Sequence, residues 1–362
     1  MKACIRDTAT ALAALCAAVV VAACGADAGD EPGGGRGPRI GLLLPDANTS
    51  RWESQDRPLL EKRIAQLCDD CVVEHANAKG DVALQQEQME SMITKGVDAV
   101  VLVAVDARSL RPAVVKAHES GIPVIAYDRL AEGPISGYVS FDGVEVGRLQ
   151  GRALLRAMGD KVPGAQIVMM NGDPSDPNAR AFQRGALSVL TGKVKIGKAY
   201  DTPQWRPETA HMNMTGALAA LGPDSIDGVY AANDGLAGGS ITALKANKVT
   251  PLPPVTGQDA ELPALRRIVG GDQYMTVFKP FGPEAAAGGA MAVAAARGES
   301  LEPVATGEVP TRDGEAVASV LLTPVSVTVD NIADTVVKDG LHTVQQICTP
   351  QLRAACDRAG LT

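Results

Sequence analysis

Residues 99–129 read AVVLVAVDARSLRPAVVKAHESGIPVIAYDR, and how they fold decides the architecture of the chain. The apolar run AVVLVAV predicts a strand, SLRPAVVKAHESG an amphipathic helix, and PVIAYD a second strand. Neither strand alternates apolar with polar residues. Unbroken Val, Ile and Leu runs belong to a parallel sheet covered on both faces, so the unit is β–α–β.

The same rhythm extends in both directions. Upstream, RIGLLLP is a strand from residue 39, ESQDRPLLEKRIAQLC a helix and VVEHANA a strand. DVALQQEQMESMITKG is then a helix, with Leu84, Met89, Met92 and Ile93 at compatible spacing and Gly96 as its stop. A second series begins near residue 143. GRLQGRALLRAMG, ARAFQRGALSVL, PETAHMNMTGALAAL, GLAGGSITALKAN and PALRRIVGG are helices; AQIVMMNG, VKIGKAYD, DGVYAAND, PPVTGQD and YMTVFKP are strands. At 362 residues the chain exceeds what one core supports. Two series therefore predict an α/β protein of two doubly wound, parallel-sheet lobes. An apolar fraction of 46% and a charged fraction of 21% are ordinary for a globular protein. A net charge of −8 without a basic block in the folded part excludes nucleic acid as a partner.

The N-terminus stands apart from this pattern. Lys2 and Arg6 precede the run TATALAALCAAVVVAA, which is too short and too Ala-rich for a membrane span and reads as a secretory signal over residues 1–23. It ends in VAAC at 21–24, which looks like a lipobox, with Cys24 as the site of lipid attachment. Two acyl chains on that sulfur give stable anchoring where one is marginal. GADAGDEPGGGRGP follows, so residues 24–38 form a lipid-anchored flexible tether. Cys4 and Cys16 leave with the signal. Outside the cytosol, Cys68, Cys71, Cys348 and Cys356 most simply form disulfides, paired locally or across. The spacing of the second pair is too wide for a zinc knuckle, and no metal site is expected.

Ligands of open parallel sheets sit at the carboxyl ends of the strands. In this chain those ends carry Arg51 and Trp52, then Asp106, then Asp128 and Arg129. The second series supplies Asn178, Trp205, Asn233 with Asp234, Gln258 with Asp259, and Lys279. Trp52 and Trp205 are the only tryptophans in a chain with 3% aromatics, and both are at strand ends. Acids balance bases here, which suits a neutral polyhydroxylated ligand. Its C–H faces stack on indole, and its hydroxyls need donors and acceptors together. An anion would call for uncompensated Arg and Lys or a phosphate cradle. GGGRG at 33–37 and GLAGG at 235–239 lack nucleotide-motif spacing, so no cofactor is expected.

Residue by residue, blander roles compete with ligand binding. Asp106, Asp142 and Asp234 can simply cap helices, and Asp128 with Arg129 can form a structural ion pair. A secreted glycosidase would need two carboxyls across a scissile bond, one raised in pKa by an apolar pocket. The acids here adjoin Arg129, Gln258 or Asn233. No G-x-S-x-G motif occurs, and the histidines (75, 118, 211 and 342) are not placed to serve a serine.

RWESQDR, GVDAVVLVAVD, GIPVIAYDRL, VSFDGVEVGRLQ, YAANDGLAGG, VTGQDAELPALRRI, MTVFKP and LLTPVSVTVDNIADTVVKDG, in this order over residues 39–342, closely resemble the D-xylose-binding periplasmic proteins of ABC transporters. Those belong to the type I sugar-binding family, alongside multiple-sugar-binding proteins used in signalling. The resemblance implies a monomeric periplasmic binding protein of type I, its two lobes joined by three crossovers. The N-terminal lobe would take 39–140 and 281–323, and the C-terminal lobe 141–280 and 324–342, with 343–362 a tail. It implies sugar contacts at Arg51, Trp52, Asp128, Arg129, Asn178, Trp205, Asn233, Asp259 and Lys279. It further implies a monosaccharide ligand such as D-xylose, an ABC permease as partner and no catalysis; from the signal and lipobox, the expected location is extracytoplasmic with the lipid as sole membrane attachment. A sugar-responsive repressor of the same fold fails on the export signal. Two features depart from the family: DPSDPNAR puts Pro177 where an Asn–Asn pair is usual, keeping Asn178, and neither cysteine pair is a family feature.

Overall fold

The structure, a computed structural model, describes residues 37–361. The signal over 1–23, Cys24 and all of the tether except its last two residues lie outside the described residues. Strands β1 (Arg39–Leu44), β2 (Val72–Asn77), β3 (Ala99–Leu102), β4 (Val124–Tyr127) and β5 (Gly137–Phe141) alternate with helices α1 (Arg57–Leu67), α2 (Val82–Thr94) and α3 (Arg111–Glu119). α4 (Gly143–Met158), β6 (Gln166–Met170), α5 (Pro177–Leu190), β7 (Lys195–Tyr200), α6 (Pro207–Leu221), β8 (Gly228–Ala231), α7 (Asp234–Ala246), α8 (Leu262–Gly270) and β9 (Thr276–Phe278) follow. The chain ends with α9 (Phe281–Ala296), β10 (Gly307–Pro310), β11 (Ala316–Leu322), β12 (Val325–Val327), α10 (Val344–Ile347) and α11 (Arg353–Arg358). Among the described residues no helix is long and apolar enough to cross a membrane.

One sheet has the order β10-β11-β5-β4-β3-β1-β2 and is parallel except for its β10 edge. A second has the order β7-β6-β8, all parallel. β9 extends it through residues 257–259, with Val277 N–H donating to Gly257 at 3.1 Å and Asp259 N–H to Val277 at 2.9 Å, and β12 pairs antiparallel with β9. The chain therefore passes between the sheets three times, after β5, after β9 and after β11. This is the periplasmic binding protein type I fold. β1, β3 and β4 are buried almost throughout, as unbroken apolar runs require.

The predicted strand PPVTGQD shrinks to a single bridge, Val229 to Val255. Pro253 and Pro254 lack the N–H groups a central strand would donate. β5, α9 and the β10–β11 hairpin were not legible from periodicity alone. Asp81 and Asp142 cap α2 and α4, whereas α7 is capped by Asn233; Asp234 instead turns its buried carboxylate to Thr276, Gln273 and the Glu261 amide.

Cys68 is joined to Cys71, and Cys348 to Cys356. The tail folds onto α8: Ile347, Cys356 and Leu361 are buried against Leu265, Ile268 and Val269, and Arg266 donates to the Gln346 carbonyl at 2.7 Å.

α4 and α5 meet backbone to backbone. A Cβ at Gly147 would collide with the Phe182 carbonyl, and one at Gly185 with the Val144 carbonyl. Gly147→Ala should gain helix propensity yet lose about 2 kcal/mol net, because the helices must part. A thermal melt should fall by a few degrees; an unchanged or higher Tm would show that this contact does not limit the packing.

Candidate binding site

Residues at the carboxyl ends of strands from both sheets converge on one cavity. The β1 end gives Thr49, Arg51 and Trp52, and the β4 end Asp128 and Arg129. From the other lobe come Asp176, Asn178 and Phe182 after β6, Trp205 after β7, Asn233 after β8, Gln258 and Asp259, and Lys279 after β9. None of these side chains is open to bulk water: Asn178, at 9%, is the most exposed residue of the set. All nine residues expected from the sequence are therefore brought together.

Three bases (Arg51, Arg129, Lys279) face three acids (Asp128, Asp176, Asp259) across the cavity. Asp128 accepts from Arg51 Nη1 at 2.8 Å and from Asn178 Nδ2 at 2.9 Å, with Lys279 Nζ at 3.6 Å. Burial works against its charge, but Lys279, Arg51 and Arg129 outweigh it and hold the carboxyl below its ordinary range. Lys279 Nζ also lies 2.9 Å from Asp259, and Arg129 Nε lies 2.8 Å from Asp176. Burial would lower the Lys279 pKa; Asp259 and Asp128 reverse that, so the ammonium stays charged. Asp176 caps α5 through the Asn178 amide at 2.8 Å and accepts from the Trp205 indole at 3.2 Å.

The two indoles are fixed differently. The Arg51 guanidinium lies 4.5 Å from the Trp52 ring centroid and Arg129 lies 5.6 Å from it, both cation–π contacts. Trp205 meets Phe182 edge-on at 6.4 Å and rests where any side chain at Gly172 would collide with it. Trp52 Nε1 and Gln258 Oε1 are buried without a hydrogen-bond partner among the described residues. Buried polar atoms are rarely left so, and at a cavity wall these two can serve a polar guest.

A family model described as a periplasmic binding protein domain matches residues 40–300. The chain belongs to that family. The D-xylose-binding periplasmic protein of Escherichia coli is 38% identical over 311 residues, covering 84% of this chain and 91% of that one. The multiple sugar-binding periplasmic receptor ChvE of Rhizobium radiobacter is 32% identical, with 85% and 92% covered. A solved ABC transporter solute-binding protein from Clostridium phytofermentans, with bound β-D-glucose, superposes with a TM-score of 0.78 at 30% identity, covering 85% and 99%.

The binding protein concentrates backbone strain at its cavity. Asp128, Trp205 and Asp259 have positive φ (58°, 53° and 95°), as do Gln204 and Ala260 beside them. Left-handed backbone costs a non-glycine residue energy, and surrounding bonds must over-determine it. Around the cavity the lobes are sewn together: Asn48 Nδ2 donates to the Gln204 carbonyl at 3.1 Å, and Gln204 Nε2 to the Gly80 carbonyl at 3.3 Å. Ser50 Oγ donates to Glu261 at 3.1 Å and Ser175 Oγ to the Val105 carbonyl at 3.3 Å.

Sequence reasoning missed Thr49, Asp176 and Phe182, and placed Gln258 at a strand end without making it a contact. Asp176 had a readable signal, an Asp before Pro at a helix start. It also missed the groups behind Arg51: Asp56, Phe281 and Glu284.

Burial pushes the Asp176 carboxyl up to about 6, with Arg129 opposing and Asp128 adding to the shift. A folded-state value above the unfolded value of about 3.9 means stability that is fully present below pH 4 and is lost as pH rises through 6. Relative to Asp176→Asn, the ligand-free wild type should lose roughly 2–3 kcal/mol between pH 4 and 7. Melts of both proteins across that range test this; a constant difference would contradict it.

Proposed function

We infer that this protein captures a single neutral aldose, with D-xylose the leading candidate, in the cavity between its lobes and delivers it to an ABC permease. The observation that carries the reading is the balanced set of three bases and three acids, with both of the chain's indoles, enclosed where the lobes meet. Each charge is already partnered, so an anionic guest would meet no excess of positive charge. Hydroxyls, which donate and accept, can enter such a network at several points. The D-xylose-binding relative and the glucose-bound structure point to the same ligand class.

In this reading Arg51, Trp52, Asp128, Arg129, Asn178, Trp205, Asn233, Asp259 and Lys279 contact the sugar. Because they come from both lobes, sugar binds the closed state better than the open one and shifts the population toward closure, which the permease reads. No bond is broken. Asp176, the raised acid at the cavity, is engaged by Arg129, Trp205 and the Asn178 amide rather than poised to protonate a glycosidic oxygen. The protein acts as a monomer without a cofactor. A second reading, a broad monosaccharide receptor that signals through a partner, has the ChvE relative in its favour.

A thermal-shift screen over neutral aldoses and D-xylonate separates these readings, since a guest of the folded state raises Tm. D-xylose should raise it and D-xylonate should not. Comparable shifts from several hexoses would favour the broad receptor, and no shift from any aldose would sink both. Asp128→Asn should weaken binding by about 10- to 100-fold in titration calorimetry, as expected for the loss of charged hydrogen bonds.

The reading extends to the N-terminus: export, acylation of Cys24, and tethering to the outer face of the cell membrane. Cells fed a labelled fatty acid should label the wild type and not Cys24→Ser. Equal labelling of both would rule out the anchor.

A further inference from the structure

Arg51 has five N–H donors, and the protein engages four of them. Nε and Nη2 each reach an oxygen of Asp56 at 2.7 Å. Nη2 also donates to Glu284 Oε2 at 2.5 Å, and Nη1 donates once to Asp128 Oδ2 at 2.8 Å. The guanidinium plane is held as well, with its carbon 4.5 Å from the Trp52 ring centroid and 4.2 Å from that of Phe281. One Nη1 hydrogen remains, and its direction is fixed by everything around it.

Asp56 and Glu284 are fully buried and do not line the cavity. Asp56 is itself oriented by the Tyr127 hydroxyl, which donates to it at 2.8 Å. Glu284 is the only charged residue in α9, FGPEAAAGGAMAVAAA, and arrives from 233 positions away along the chain. A carboxylate in an otherwise apolar, Ala- and Gly-rich helix is costly to bury, and packing alone would favour an apolar side chain there. Burial pushes the Glu284 carboxyl well above the usual range, with Arg51 pulling the other way. For Arg51 itself burial lowers the pKa, but Asp56, Glu284 and Asp128 more than restore it. The guanidinium is charged and fully oriented before any guest arrives.

We propose that Glu284, with Asp56, is a positioning residue for sugar selectivity: the two occupy the Arg51 donors that face away from the cavity, leaving one aimed N–H to read one ligand hydroxyl. The proposal rests on the aldose-binding reading above. A site that pairs a particular hydroxyl rejects the analogue lacking it, but only while its donor cannot turn elsewhere. Without the Glu284 acceptor, one Nη2 hydrogen is left unpaired and Asp56 alone holds the far side of the guanidinium, so Arg51 can tilt, its remaining Nη1 hydrogen is no longer aimed, and discrimination at that one position is lost.

The experiment titrates D-xylose and its monodeoxy analogues into wild type, Glu284→Leu and Glu284→Gln by calorimetry, with 15N NMR of the Arg51 guanidinium in the ligand-free wild type. Glu284→Leu should bind D-xylose about tenfold more weakly and cease to discriminate against one analogue while still rejecting the others. Glu284→Gln keeps an acceptor oxygen and should retain the wild-type pattern. The wild-type NMR spectrum should show distinct, slowly exchanging Nη1 and Nη2 signals. Uniform weakening of every analogue in Glu284→Leu, an unchanged pattern, or a single averaged Nη signal in wild type would overturn the proposal. The NMR readout stands even if the Leu variant fails to fold. Locked Nη signals in a wild type that binds no aldose would instead defeat the sugar reading and leave the clamp standing.

Discussion

The Asp128 carboxylate lies between Arg51, Asn178 and Lys279, while its backbone carbonyl accepts from Ser140 at 2.6 Å, Asn178 at 3.0 Å and Tyr138 at 3.2 Å. These partners belong to the β1 end, to α5 in the other lobe, to β5 and to the crossover after β9. One residue therefore ties together four separate stretches of chain, and it does so with φ at 58°. That backbone is unfavourable for Asp, and a buried negative charge is unfavourable anywhere unless cations surround it. Three cations do. Neutralising this group would leave Arg51 to Asp56 and Glu284 and Lys279 to Asp259, and would tip the cavity's balance toward positive charge.

Much of this was legible in the sequence because it depends on local pattern. Strands such as AVVLVAV and PVIAYD announce a parallel sheet by their unbroken apolar character, and a parallel sheet announces where its ligands must sit. Counting polar residues at strand ends then recovers Arg51, Asp128, Trp205 and Lys279 without knowledge of how the lobes face each other. The resemblance added the crossovers, which no local pattern encodes because each depends on which strand a later segment pairs with.

What stayed hidden acts at second hand. Asp56 and Glu284 touch Arg51, not the cavity, and strand-end counting does not reach them. Glu284 does carry a mark, a lone charge in an Ala- and Gly-rich helix, but reading it requires knowing that α9 packs against the segment holding Arg51. The tail was opaque for a related reason. Its apolar residues are sparse, and its docking on α8 depends on Cys348 and Cys356 closing a loop that presents Ile347 and Leu361 to one surface.

The stitching between the lobes also bears on time. Parting the lobes requires Gln204 to leave Asn48 and Gly80, and Ser50 and Ser175 to release their partners. The rate of opening is thus set in part by the protein's own contacts and not by the guest alone.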